Sequence, residues 1–307
     1  MEGARICRRA KLAMIDSAGL RSGKSHRDEN FPVASWLIER RHRPVILAFY
    51  NFVRVADDIA DHPRLSPSEK LARLDNLEAS LLGKGDGEPV GAALREAISS
   101  RGLSAHHPQD VLKAFRQDVL KSRYDNWGDL IGYCTYSAMP VGRFVLDVHG
   151  ESKSTWPTSD ALCAALQIIN HLQDCAADYR KLDRVYLPLD VLSAHGVAVE
   201  ALGQTHSSPA LIGCLHELAG RTANLLHQSH ALPEIVGNVR LAMEISAIQK
   251  LAGRLIAILQ TRDPLSESVH LTKAQALMSG AAGAMMRLLR VLIRTASHFN
   301  RPQTHES

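Results

Sequence analysis

The chain runs to 307 residues, 45% of them apolar and only 5% aromatic, with a formal net charge of +4, and that length can bury a substantial core in one large domain. No stretch comes near the roughly 18 uncharged apolar residues that mark a membrane-spanning helix, which excludes an ordinary transmembrane protein. The five cysteines, Cys7, Cys134, Cys163, Cys175 and Cys214, are scattered with no CxxC pair, so a disulfide framework is excluded too and a reducing cytoplasm is the natural setting.

In chain order, residues 1–27 come first, with seven Lys and Arg against Glu2 and Asp16. They lack the apolar core of a secretory signal and read as a basic, flexible tail. Within them, Gly19-Leu-Arg-Ser-Gly23-Lys24-Ser25 mimics a phosphate-binding loop but is one residue short, because Ala18 stands where its first glycine belongs. Helical periodicity then predicts elements near 43–61, 67–82, 89–101, 108–122, 127–149, 159–181, 207–230, 234–262 and 272–298. Pro67 and Pro108 mark starts, Gly83 and Gly102 mark stops, and Gly83–Pro89 and residues 183–188 read as loops. No run of alternating β-branched residues interrupts this pattern. The expectation is an all-α bundle, a single domain over 28–298 followed by a tail at 299–307. The helix Ala274–Ile293, broken by Arg287 and Arg290, reads as a terminal helix packed on the core, with surface membrane attachment as its alternative.

Two acidic ladders stand out, Asp57-Asp58-Ile-Ala-Asp61 and Asn170-His-Leu-Gln-Asp174-Cys-Ala-Ala-Asp178. Residues three or four apart share a helical face, so each ladder stacks oxygen atoms beside an apolar segment. Tyr50 and Arg54 extend the first along its stripe and Gln167 extends the second. Carboxylates this close repel by roughly 1 kcal/mol per pair in water and about 4 near a protein surface, so a cation should answer them. A solvated acidic face accounts for one ladder alone far better than for two with matching extensions. The pairs His106-His107 and His227/His230 are better read as ordinary solvated or hydrogen-bonded residues. Lys and Arg lie dispersed without interleaved aromatics, which excludes a nucleic-acid surface.

Hard cations such as Mg²⁺ prefer oxygen ligands and are commonly shared between one or two carboxylates and a substrate phosphate. Two such helices facing each other suit ionisation of an allylic or cyclopropylcarbinyl diphosphate, with Arg54 adding a phosphate contact. The cation left behind needs an apolar pocket. Tyr133-Cys-Thr-Tyr136-Ser-Ala138-Met-Pro140-Val141-Gly142 offers a wall of small residues and two phenols, or else plain tight helix packing through Ala138 and Gly142.

These segments resemble the squalene and phytoene synthase family of head-to-head prenyl diphosphate enzymes over about residues 29 to 290. The resemblance rests on Tyr50 to Asp61, on Tyr133 to Gly142, and on Gln167 to Asp178 followed by Arg184-Val-Tyr186-Leu-Pro188. It implies an isoprenoid-synthase-type helical bundle around a central cavity. It also implies Mg²⁺ on Asp57, Asp58, Asp61, Asn170, Asp174 and Asp178, diphosphate contacts from Tyr50 and Arg54, and Tyr133 as a catalytic phenol working with Asp57, Asp61 and Asp174. Ala138, Val141, Gly142, Gln167, Asn170 and Phe31 would contact substrate.

Within the family, Glu29-Asn30-Phe31-Pro32-Val33-Ala34-Ser35 and Ser137 to Arg143 most resemble the bacterial hydroxysqualene-forming branch of hopanoid biosynthesis. That implies a carbon–oxygen lyase acting on presqualene diphosphate, with water capture of the rearranged cation, and Tyr133, Asn30 and Glu29 as groups able to position the water. Asp28–Phe31 stands where many members carry Ser and Lys, and Gln173 where eukaryotic squalene synthases carry Arg. The alternatives are a prenyltransferase condensing two farnesyl or geranylgeranyl diphosphates, and a non-catalytic assembly factor. A cytoplasmic enzyme with transient contact at the inner membrane, working beside pathway partner enzymes, completes the expectation.

Overall fold

A computed structural model describes residues 37–85 and 87–299, without the side chains of Lys273, Met286 and 289–299. The basic tail, Glu29, Asn30, Phe31 and the segment 300–307 lie outside the described residues. Among the described residues the chain is helical throughout, with one isolated parallel bridge between Arg123 and Val185. The α-helices are α1 (Arg43–Ala60), α2 (Pro67–Leu81), α3 (Pro89–Ser99), α4 (His106–Leu120), α5 (Trp127–Ser137), α6 (Met139–His149) and α7 (Trp156–Leu182). They continue with α8 (Leu189–Ala194), α9 (Pro209–Gln228), α10 (Leu232–Ile235), α11 (Val239–Leu259) and α12 (Lys273–Phe299).

Local chemistry sets most of these boundaries. Helix α2 begins in a capping box: the Ser66 hydroxyl accepts from the Glu69 amide while the Glu69 carboxylate accepts from the Ser66 amide, with Pro67 in the first turn. Asn126, Ser208 and Asn238 cap α5, α9 and α11 with the side chain alone, each taking an orphan amide of the first turn. Along α2, Leu74, Leu77 and Leu81 recur at the helical period and are fully buried, each contributing about 2 kcal/mol of apolar transfer free energy.

Two expectations need correction. The element predicted at 127–149 is two helices, because Ala138 leaves helical geometry (φ −125°, ψ −46°) and Pro140, lacking an amide hydrogen, sits in the first turn of α6. The element predicted at 234–262 likewise divides into α10 and α11 around Gly237 and the capping Asn238. The short helix α8 falls in no predicted element, and the remaining helices fall where periodicity puts them, within a few residues.

Helix α7 runs through the middle of the bundle, packed by α5, α6, α9 and α11, while α1 packs with α2, α3, α4 and α6. The Phe49 and Phe144 rings stack at 4.2 Å and tie α1 to α6. Helix α12 lies against α11 through Gly283, where a Cβ would come within 2.5 Å of the Ser246 carbonyl oxygen. Its exposed Leu277, Met278 and Met285 face outward. Among the described residues no helix is long and apolar enough to cross a membrane, and Cys134, Cys163, Cys175 and Cys214 are free thiols.

Candidate active site

A cavity of about 450 Å³ opens between α1, α4, α5, α6, α7 and α11. Helix α1 contributes Tyr50, Arg54 and Asp57, α5 contributes Tyr133, α6 contributes Val141 and Gly142, and α7 contributes Gln167 and Asn170. Eight of the side chains expected from sequence therefore share one chamber. Asp58, Asp61, Ala138, Asp174 and Asp178 stand off its lining. Val53, Phe115, Val145, Leu162, Leu166, Leu241, Ile245 and Ile248 make most of the remaining wall apolar.

On α1 the repulsion among the acids is answered by the protein's own guanidinium groups. Arg54 donates to Asp57 Oδ2 at 2.7 Å and reaches Asp58 Oδ1 at 3.4 Å. Burial, and then the charge of Asp61, push the Asp57 carboxyl up to about 7 against the opposing pull of Arg54. Its side chain is nonetheless 34% exposed, because one side faces the cavity and the others face protein. Asp61 turns the other way: Arg184 Nη1 lies 2.5 Å from its Oδ1, while Arg184 Nη2 and Lys70 Nζ donate to the Ala60 carbonyl at 3.2 and 2.8 Å.

Arg184 is delivered by the turn that closes α7. Asp183 caps that helix in the left-handed region (φ 49°), a conformation aspartate tolerates better than most residues. Its carboxylate and carbonyl accept from Arg123, and the Val185 amide donates to the Ser122 carbonyl at 2.9 Å. The Arg184 amide caps the Asp178 carbonyl, so one residue touches the backbone of the second ladder and the side chain of the first.

On α7, Gln167 Nε2 lies 3.1 Å from His171 Nε2, His171 stacks on Tyr186 at 3.6 Å, and Asp178 Oδ2 is 3.9 Å from His171 Nδ1. Asp174 is exposed. Gln173 points away from the cavity, buried, and donates to the Val269 carbonyl at 2.8 Å. Among the described residues no three acidic, imidazole or thiol groups are gathered closely enough to enclose an ion.

Gly142 fulfils both readings of its motif. It lines the cavity, and a Cβ there would sit 2.5 Å from Cys163 Sγ and Ser159 Oγ, so α6 approaches α7 only because that atom is missing. Val141 is 37% exposed into the chamber, whereas Ala138 is buried at the break between α5 and α6.

The sequence profile described as squalene/phytoene synthase matches residues 24–275. The chain belongs to the squalene/phytoene synthase family. It is 60% identical over 258 residues to hydroxysqualene synthase of Rhodopseudomonas palustris, covering 84% of this chain and 88% of that protein. Against hydroxysqualene synthase of Sinorhizobium fredii the identity is 54% over 272 residues, 89% of this chain and 93% of the relative. A squalene synthase structure from Alicyclobacillus acidocaldarius matches with a TM-score of 0.68 at 28% identity, covering 82% and 94% of the two chains. A ligand-bound dehydrosqualene synthase shares the fold at a TM-score of 0.74 and 21% identity, over 90% and 98%. Family membership and the all-α fold of the squalene synthases thus stand as the three sequence motifs led one to expect.

Sequence reasoning within this family missed Asp118. It lies on α4, buried, and accepts from the Tyr133 hydroxyl on Oδ2 and the Tyr186 hydroxyl on Oδ1, both at 2.9 Å. Burial pushes its carboxyl up to about 6, while Arg184 and the two phenols pull the other way. The Tyr133 phenol is held well above its usual value, by burial first and the Asp118 charge second, and so stays protonated. The available signal was an acid falling on the apolar stripe of a helix, three residues after Phe115 and seven after Val111. Arg184 and Tyr186 read from the sequence only as residues that follow the second ladder.

Proposed function

We propose that this chain converts presqualene diphosphate to hydroxysqualene, with Mg²⁺ held by Asp57, Asp61, Asn170, Asp174 and Asp178. The observation that carries the reading is a single cavity with a divided lining: Tyr50, Arg54, Asp57 and Asn170 at a polar end, and aliphatic side chains over most of the rest. The high identity to two proteins named hydroxysqualene synthase supports the same choice within the family.

The donor set fits the metal, since it consists of carboxylate and amide oxygens, the preferred partners of a hard cation. When bound, Mg²⁺ would neutralise the charge that collects on the departing diphosphate. Asp58 serves better as a support, because its side chain is only 11% exposed where that of Asp57 is 34%. Arg54 and Tyr50 bind diphosphate oxygens at the polar end, the guanidinium by a two-pronged contact. The aliphatic wall keeps bulk water from the cation. Tyr133 presents a neutral hydroxyl to the reacting region, fixed in place by Asp118.

Incubation with presqualene diphosphate and Mg²⁺ in ¹⁸O-enriched water should place the label in the product hydroxyl. Squalene formed only with NADPH would overturn the hydrating assignment, and rapid turnover of farnesyl diphosphate supplied alone would move it to the coupling step. An Asp57→Ala, Asp174→Ala protein that still performs its biological role would leave a scaffold.

A further inference from the structure

Hydration of a carbocation makes a demand that diphosphate departure does not: the attacking water must lose a proton. Building on the hydrating reading above, we propose that Asp118 accepts this proton through the hydroxyl of Tyr133.

Asp118 belongs to two walls at once. It lines the largely apolar cavity, and it also lines a polar side pocket of about 350 Å³ bordered by Lys70, Lys121, Lys181 and Arg184. A polar region therefore lies next to the apolar chamber at this residue. Tyr133 faces the cavity and donates to Asp118 Oδ2, which leaves its oxygen lone pairs able to accept from a donor inside the chamber. Tyr186 occupies the other carboxylate oxygen and fixes the group's rotation. One turn along the same face of α5, Ser137 also lines the cavity, and its buried hydroxyl has no partner among the described residues. A buried hydroxyl left unpaired is costly, so this position is matched to a polar molecule in the chamber. Arg184 faces Asp118 from the segment after α7, with Tyr124 and His171 around the same cluster. With its carboxyl raised to about 6, Asp118 is ionised and still basic at neutral pH.

The step balances without an added reagent. A lone pair of the water oxygen forms the new carbon–oxygen bond to the cation, and one water O–H bond breaks with its electron pair kept on oxygen. The freed proton passes to the Tyr133 oxygen as the phenol's own proton passes to Asp118. Cation, water and carboxylate become alcohol and carboxylic acid, and the side pocket gives Asp118 a polar route to return the proton.

The test compares diphosphate release with the alcohol share of the products, using full-length protein, presqualene diphosphate and Mg²⁺. Asp118→Asn and Tyr133→Phe are each expected to cut the alcohol share at least about tenfold, with diversion to hydrocarbons by loss of a carbon-bound proton, while diphosphate is still released. Gln173→Ala controls for disturbed packing: its buried side chain leaves the cavity for the Val269 carbonyl, so the alcohol share should stay within about twofold of the unaltered protein. An unchanged alcohol share in Asp118→Asn, or diversion in its place by Glu244→Gln, a buried acid of α11 that also lines the cavity, would overturn the assignment. Should Asp118→Asn not fold, Tyr133→Phe alone decides the question in the same terms. Unaltered protein that releases diphosphate yet never forms an alcohol would instead refute the hydrating function on which the relay depends.

Discussion

The two ladders share one sequence pattern and meet different surroundings. On α1 the acids are bound by guanidinium groups of the same chain, Asp57 and Asp58 by Arg54, and Asp61 by Arg184. On α7 Asp174 is exposed and Asp178 lies 3.9 Å from His171, while the intervening ladder residues are anchored as well, His171 against Tyr186 and Gln173 on Val269. Acids at helical spacing therefore name candidate ligand atoms and say little about what holds them. The first ladder arrives at the site already committed to internal cations; the second is fixed by what lies beside it.

If both ladders serve the same leaving group, removing one acid from either should be comparably damaging despite this difference. Asp57→Ala and Asp174→Ala are each expected to lower Mg²⁺-dependent diphosphate release by at least about a hundredfold, the scale of losing a transition-state electrostatic partner. Steady-state assays on variants with unchanged circular dichroism check this. A severe loss in Asp57→Ala beside a mild one in Asp174→Ala would break the equivalence and leave the exposed ladder as surface charge.

Asp118, near the first ladder but on neither, separates function from stability. Its carboxyl moves from 3.8 to about 6 on folding, so the folded state disfavours the ionised form. The stability it confers is fully present below about pH 4 and lost as pH rises through about 6, a change worth about 3 kcal/mol. Asp118→Asn should remove that dependence. Urea unfolding free energies at pH 4 and pH 7 should therefore differ less in the variant than in the unaltered protein, by about that amount. Equal pH dependence in both would mean that the phenols and Arg184 hold the carboxylate ionised at little cost.

A smaller effect is expected from breaking the contact that joins the ladders. Arg184 is 9% exposed while Asp61 is 37% exposed, so the acid can turn to water when its partner is lost. Arg184→Met should destabilise by about 2 kcal/mol, below the range for a pair buried on both sides. Thermal melts at two ionic strengths check it, and a loss that vanishes in high salt would place the pair on the surface.

Much of this architecture was legible in the sequence because helices write their faces at a fixed spacing. Tyr50, Arg54 and Asp57 follow that rule, as do Gln167 and Asn170, and all five line the cavity. What escaped depends on contacts between distant segments. Asp118 looks locally like any helical acid, and becomes singular only because Tyr133 and Tyr186 converge on it. Arg184 reads as part of a loop, and acquires its role when residues 122–125 pair with 185–190. The break at Ala138 did leave a mark, Pro140, but an apolar period running through 127–149 outweighed it.

Gln173 gives the finest test of the contrast between ladders. It stands where eukaryotic squalene synthases carry Arg, a clue to subfamily, yet its side chain leaves the cavity and satisfies the Val269 carbonyl, with His270 Nδ1 3.3 Å away. Truncating it to alanine strands a buried carbonyl and removes a tie between α7 and the segment before α12, at a cost of about 1 kcal/mol. Gln173→Ala should therefore lower the unfolding midpoint slightly while leaving the Michaelis constant for presqualene diphosphate and the alcohol share of the products unchanged. If the Michaelis constant rises severalfold with stability intact, Gln173 reaches the diphosphate during turnover, and the second ladder would then carry a substrate contact that its resting geometry directs elsewhere.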